Sequence, residues 1–327
     1  MKGLRRLKHV STTKHIIWLL ISVAAFSIAA LFIGSVNVFN ISSELRQTIL
    51  FDVRLPRILI AGVVGIALVM SGWVLQVVLR NPMADSFTLG MANAAVLGSA
   101  VSVVIGVPLF MQPIISVIFG MLSLFIVLGL AYTMDKTFSN ATLIISGILI
   151  GAMLSGVLYI IILMYPNRTE QIAQYMFGSF ANANYTLVVL LFTLTLISWL
   201  IISRFHKSID YFNLGDVRAF SLGVKTNRLR PILIIIASIP PLVAISYTGM
   251  IAIVGIIIPQ LILMIKPMRF LPTLVFASLY GALFMIIVDT IGRTIIAPVQ
   301  IPTGVMVMLL SIPILLFLIR KKLFRIY

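Results

Sequence analysis

Apolar runs of about 20 residues recur along this chain, and no other feature constrains its fold as strongly. A bilayer core of roughly 30 Å needs about 20 such residues per helix. Inside it, each backbone N–H and C=O must be satisfied within the segment, which favours helices. Runs of this kind fall at 16–36, 58–79, 91–106, 109–133, 141–164, 186–204, 230–248, 250–265, 271–289 and 303–319. They predict an all-α polytopic membrane protein with about ten transmembrane helices. The runs at 91–106 and 250–265 are short and interrupted by Gly or Pro, which makes them the weakest spans. Composition agrees: 61% of the 327 residues are hydrophobic and 10% are charged. A soluble globule of this size could not cover its surface with so little polar material. The connecting segments are too short for a second domain, so residues 1–327 read as one transmembrane domain.

The net charge of +16 comes from 24 Lys and Arg against 8 Asp and Glu. With ten spans and a cytoplasmic N-terminus, the outer segments hold only Arg46, Arg54, Arg57, Arg168 and Arg293. The other basic residues, from Lys2, Arg5, Arg6 and Lys8 through Lys136 to Lys321, Lys322 and Arg325, fall inside. Cytoplasmic loops carry the Lys/Arg excess, so both termini are expected in the cytoplasm and the chain in a cell membrane. Part of the charge also suits anionic lipid. No basic stripe with interleaved aromatics occurs, which argues against a nucleic-acid partner. The first run follows a basic segment, as a signal peptide does. It is long for an h-region and no small-x-small cleavage site follows it, so it reads as a retained span.

Cysteine is absent, which removes disulfides, thiolate metal sites and Cys nucleophiles. His9, His15 and His206 fall at the membrane edge, with no H-E-x-x-H and no Gly-x-Ser-x-Gly elbow. No G-x-x-x-x-G-K-[ST] loop is present, so uphill transport would draw its energy from a partner. Ionisable residues within spans are expensive and mark ion pathways. Apart from Arg204 and Arg230 at the very ends of their runs, the spans hold only Asp289, near the outer end of the ninth, with Arg293 four residues on. On a helix these two share a face and can pair. The lack of mid-membrane charge disfavours an ion-coupled carrier. Small residues recur at every fourth position in Gly90, Ala94, Gly98, Ser102 and Gly106, and in Gly147, Gly151 and Ser155. That spacing predicts close helix packing. The largest internal connection is 205–229. Asn213 or Gly215 is placed to open a short helix there, and Gly223 to close it as a C′ residue. Two short amphipathic turns beneath the membrane result, either an ordinary solvated loop or a docking knob for a cytoplasmic motor subunit.

Seven motifs in register carry a resemblance. They begin with Arg54-Leu55-Pro56-Arg57, Gly65, Ala67, Leu68, Ser71-Gly72 and Gln76, then Arg80-Asn81-Pro82-Met83-Ala84-Asp85 and Leu89-Gly90. Phe177-Gly178-Ser179-Phe180 follows, then Leu214-Gly215 through Ser221-Leu222-Gly223-Val224. The last are Gly249-Met250-Ile251 with Val254-Gly255 and Pro259-Gln260, Asp289-Thr290 with Arg293, and Ile301-Pro302-Thr303-Gly304-Val305. Over about residues 45–325 the chain resembles the FecCD family, the permeases of bacterial type II ABC importers for iron–siderophores, heme and vitamin B12. The resemblance implies a BtuC-like type II importer permease fold and a dimer with a second permease, a copy or a paralogue, around one pathway. It implies two cytoplasmic ABC ATPase subunits, which hold the ATP-Mg, and an extracellular substrate-binding protein. This chain itself would be no enzyme and would carry no cofactor or metal.

By the same resemblance, Arg54, Arg57 and Arg293 meet glutamates of the binding protein, a role for which exposed arginines are suited. Interfacial anchoring (Arg54, Arg57) and pairing with Asp289 (Arg293) are the plainer readings. Leu214, Gly215, Asp216, Arg218, Ala219, Ser221, Leu222 and Gly223 form the coupling segment to the ATPase. Ser71, Gln76, Met91, Asn93 and Ser99 are candidates for the translocation pathway, with polar helix–helix glue as the alternative. Gln260 stands where the family commonly has His, and Leu263 near where an Arg often follows. Ala252 and Ile253 replace a more polar or aromatic pair. These departures weaken any gating role for 259–266. Iron(III)–siderophore is the expected cargo, with heme or cobalamin as alternatives and an ion-coupled secondary transporter as the competing class.

Overall fold

The computed structural model describes residues 12–36, 38–135 and 139–320. The basic residues Lys2, Arg5, Arg6, Lys8, Lys136, Lys321, Lys322 and Arg325, and His9, lie outside the described residues. Among the described residues the chain is helical, without strands. Ten helices answer to the ten apolar runs: α1 (Thr12–Phe32), α2 (Leu55–Val78), α3 (Met91–Ile105), α4 (Gln112–Met134), α5 (Asn140–Met164), α6 (Tyr185–Arg204), α7 (Thr226–Thr248), α8 (Val254–Ile265), α9 (Phe270–Gly292) and α10 (Thr303–Arg320). Eight are long and apolar enough to cross a membrane, whereas α3 and α8 are shorter.

α2 is the central helix and is buried along almost its whole length. Two glycines on it explain how neighbours approach so closely. A Cβ at Gly65 would strike the Gly281 carbonyl of α9, and one at Gly72 the Gly255 carbonyl of α8. Such backbone-to-backbone packing supplies van der Waals contact that lipid does not. α7 and α9 complete the inner layer, while α1, α4, α5, α6 and α10 turn broad apolar faces outward. At the outer end α2 begins earlier than its apolar run. Ser43–Gln47 and a π-helical stretch, Thr48–Arg54, lead into it without a break, making 36 helical residues to Val78. Pro56 cannot donate to a carbonyl one turn back, and the wider π spacing lies directly before it. α1 stops at Phe32, short of the expected 36. The chain there wraps the Arg54 guanidinium, which donates to the Leu31 carbonyl (2.8 Å) and the Val36 carbonyl (2.6 Å).

The two short helices start inside the bundle. The α2–α3 connection folds back until the Ser86 hydroxyl lies 3.4 Å from that of Ser71. Ser71 is seven residues from the end of α2, so the connection penetrates about 10 Å at 1.5 Å per residue. Gly90, at φ 72°, turns the chain into α3. From the opposite end, residues 249–253 fold inward and Ile253, at φ 75°, starts α8. Its carbonyl accepts from Ile256 and Ile257 N–H (2.9 and 3.1 Å). A β-branched residue in the left-handed region costs about 1–2 kcal/mol. This folding back is why the runs at 91–106 and 250–265 were short: backbone of the connections fills the rest of the thickness. It also corrects one expectation. Asp85 sits on the inward-folded connection beside Ser86 and is buried, so the interior does contain a carboxylate. Its Oδ1 accepts from the N–H of Phe87 (2.9 Å) and Thr88 (3.0 Å).

Candidate functional site

The 205–229 connection folds as the glycines foretold. Two short helices, His206–Phe212 and Asp216–Ser221, form there. Gly215, at φ 91°, opens the second. Gly223, at φ 86°, closes it: Val224 N–H donates to the Ala219 carbonyl (3.0 Å) and Gly223 N–H to the Phe220 carbonyl (2.9 Å). That bond pair is a Schellman C-cap. The segment is seated by Ile209, Phe212, Ala219 and Val224, which join the core around Val77, Val78 and Phe270. Asp216 is the polar anchor. Its Oδ1 accepts from Arg230 (2.7 Å), a wholly buried side chain that also lies over the Phe212 ring (5.5 Å to the centroid). Its Oδ2 is 3.6 Å from Arg80.

Burial divides the expected coupling residues. Asp216 and Ala219 form the seat. Leu214, Arg218, Ser221, Leu222 and Gly223 are exposed, and Gly215 is half-buried. Two residues absent from the expected set dominate the surface: Val217 is 85% exposed and Phe220 67%. With Leu214 and Leu222 they form an apolar knob. Periodicity over a six-residue helix was too short a signal to say which face would turn outward.

Of the five pathway candidates, four are buried within the chain. Ser71 faces Ser86, and Met91 and Ser99 are packed in the interior. Gln76 donates to the Gly255 carbonyl (2.8 Å) and accepts from Gln260 Nε2 (2.8 Å). This is the polar glue of the alternative reading, and it gives the unusual Gln260 a partner on α2. Replacing Gln76 by Leu is expected to deprive the buried Gly255 carbonyl of its amide donor and to remove the bond to Gln260, at about 1–3 kcal/mol for the stranded carbonyl. A fall in the thermal unfolding midpoint of the detergent-purified protein checks it; an unchanged midpoint would contradict it. Asn93 borders a cavity. Its Nδ2 donates to the Gly151 carbonyl (3.2 Å). The cavity, about 260 Å³, is lined by Asn93, Val96, Ser155, Leu158, Tyr159, Ile162, Met176 and Met250. The wall is apolar with isolated hydrogen-bonding groups.

At the end opposite the knob, Arg54, Arg57 and Arg293 come together as the sequence arranged them, but the expectation that they are exposed is corrected. All three are buried, at 5%, 5% and 3% exposure. Arg57 makes a two-pronged bond to Asp289 (2.9 Å from Nε to Oδ2 and 2.9 Å from Nη2 to Oδ1) and donates to Gln300 Oε1 (2.6 Å). Thr303 Oγ1 donates to Asp289 (2.8 Å). Arg293 donates to the Ala30 carbonyl (2.7 Å) and lies 4.0 Å from Asp289. The predicted Asp289–Arg293 pair is therefore the weaker one. The carboxylate is held by Arg57, 232 residues away. Planar guanidinium and carboxylate match in a fork that a neighbour one helical turn along cannot present. Arg54 and Arg293 bind carbonyls near the end of α1, which ties that helix to the bundle.

The bundle thus has an apolar knob at one end, an apolar cavity along its helices and a buried charge cluster at the other end. The chain belongs to the FecCD transport family, whose model matches residues 15–321. It is an ABC importer permease, a multi-pass membrane protein distinct from the ATPase. The chain is 28% identical to the hemin transport system permease protein HmuU of Yersinia pestis, over 94% of each chain. It is 30% identical to the molybdate import system permease protein MolB of Haemophilus influenzae, over 84% of this chain and 82% of that one. A solved metal-chelate type ABC transporter in an inward-facing conformation superposes with TM-score 0.85 at 26% identity, covering 95% of this chain and 100% of that one.

Proposed function

We propose that this chain is the permease of an ATP-driven importer for iron(III)–siderophores, working as a dimer with a second permease. Two cytoplasmic ATPases drive it, and an extracellular binding protein delivers the cargo. The observation that carries the reading is the seated apolar knob of Leu214, Val217, Phe220 and Leu222. An apolar surface of this kind on a rigid base is what a partner subunit needs in order to transmit force. The basic residues gather at the knob's end, which supports a cytoplasmic location for that end and for both termini. For the cargo, the cavity's lining residues include no Lys or Arg to hold a bare oxyanion. Heme is the second reading, favoured by the hemin permease among the relatives.

Binding-protein docking by Arg54, Arg57 and Arg293 belongs to the same proposal. It requires their guanidinium groups to leave the internal partners they hold here. The test is reconstitution of the permease with its ATPase and binding protein in liposomes. Uptake of ferric hydroxamate, catecholate and carboxylate siderophores and of hemin is then compared with and without ATP. ATP-dependent uptake of one siderophore class is the expected result. Uptake by the permease alone under an ion gradient would overturn the ABC-driven reading, and exclusive uptake of hemin would overturn the cargo.

A further inference from the structure

The knob's anchor reaches two different parts of the bundle. Through Arg230, Asp216 is fixed to the root of α7 by a short bond to a buried side chain. Through Arg80, it meets the α2–α3 connection by a longer ion pair, 3.6 Å, between side chains 38% and 40% exposed. Arg80 holds a left-handed backbone, φ 45°, at the point where that connection leaves α2. Its guanidinium also lies beside Gly215, the hinge of the knob.

From Arg80 inward the connection is stiff. Asn81 N–H donates to the Gln76 carbonyl (3.0 Å), Ala84 N–H to the Asn81 carbonyl (3.1 Å), and Gly90 N–H to the Phe87 carbonyl (2.9 Å). Asp85 and Thr88 lock each other in both directions, through Asp85 N–H to Thr88 Oγ1 (3.0 Å) and Thr88 N–H to Asp85 Oδ1 (3.0 Å). The inner end of this segment presses on α5. A Cβ at Gly147 would strike the Thr88 carbonyl, and Gly151 lies against Gly90. The next turn of α5 and the start of α3 carry Ser155, Leu158 and Asn93, three of the cavity's walls.

We propose that Arg80 is a positioning residue that transmits movement of the knob to the cavity wall, by way of Asp216, the rigid 81–90 connection and the Gly147–Gly151 face of α5. The inference rests on the ABC-importer reading above. The Arg230 bond keeps the knob on the bundle. The Arg80 bond, longer and solvent-exposed, is the one that can change length as the knob moves. Packed elements shift between discrete arrangements, and such a link sets which arrangement the inner connection follows.

The test uses the complete transporter, permease with ATPase and binding protein, in proteoliposomes supplied with ferric hydroxamate or hemin, whichever the wild type imports. R80Q is expected to leave the ATPase bound and hydrolysing, while cargo imported per ATP falls roughly tenfold, within the range of coupling between distant sites. R80K, which keeps a point charge able to meet Asp216, is expected to restore most of the ratio. Adding R80Q to D216N is expected to lower the ratio no further than D216N alone, as for two residues of one link. An unchanged ratio in R80Q overturns the proposal. So does parallel loss of ATPase binding and uptake in both R80Q and R80K, which would make Arg80 part of the seat. If the wild type itself shows no ATP-dependent uptake, the functional reading fails first, independently of Arg80.

Discussion

Replacing Phe220 by Glu is expected to abolish copurification of the partner ATPase while the permease keeps its thermal unfolding midpoint. Phe220 is 67% exposed and its neighbour Val217 85%, so the free chain has little to lose at either position. On docking, a Phe side chain buries roughly 150–250 Å², and truncating central aromatic anchors costs about 2–4 kcal/mol of binding. A carboxylate at the same place adds the cost of desolvating an unpaired charge. Together these weaken docking by two orders of magnitude or more. Ala219→Glu is the instructive contrast. Ala219 is wholly buried beneath the knob, so a Glu there displaces the seat and lowers the unfolding midpoint as well. Full retention of the ATPase by Phe220→Glu would show that this face is not the docking surface.

Removing the carboxylate of Asp289 is expected to have the largest effect on stability. Asp289→Ala strips Arg57 of both prongs of its bond and Thr303 of its acceptor. It leaves three buried guanidinium groups without a counter-charge among the described residues of the cluster. Breaking one partner of a buried pair costs about 3–5 kcal/mol. The loss falls where α2, α9 and α10 meet, and thermal unfolding of the purified protein measures it. Removing both charges with Arg57→Met and Asp289→Leu is expected to recover part of the loss, because the guanidinium that the carboxylate bound by a fork is then no longer stranded, while Arg54 and Arg293 remain. If Arg57→Gln left the midpoint untouched and only weakened binding-protein affinity, the cluster would be a docking device and not a structural one.

Much of the architecture was legible before any coordinates. Apolar runs located the ten helices because bilayer thickness sets a length that sequence can meet or miss. Gly215 and Gly223 marked the knob because left-handed backbone at a helix end favours glycine. What escaped was of another kind. Asp289 shows it well: spacing nominated Arg293 on the same helix, and the fold supplied Arg57 from a facing one. Local periodicity can rank only neighbours three or four residues away, whereas bidentate geometry is satisfied across a helix interface. The surroundings of the pathway candidates were hidden for the same reason. Gln76 is polar within an apolar helix, but only the crossing of α2 with α8 decides that it meets Gly255 and Gln260 and not a cavity.

The sequence by itself determined that this chain lives in a membrane as an all-helical bundle, and the order of its motifs placed it in one family. Hydrophobicity and chain order are one-dimensional quantities, and they survive without coordinates. Only the tertiary structure decided which side of the knob faces outward, that the three far-end arginines are interior, and that the connections before α3 and α8 plunge into the bundle. Those outcomes depend on which helix faces meet. Backbone contacts at Gly65, Gly72 and Gly147 set that, together with a few polar bonds between residues far apart in sequence.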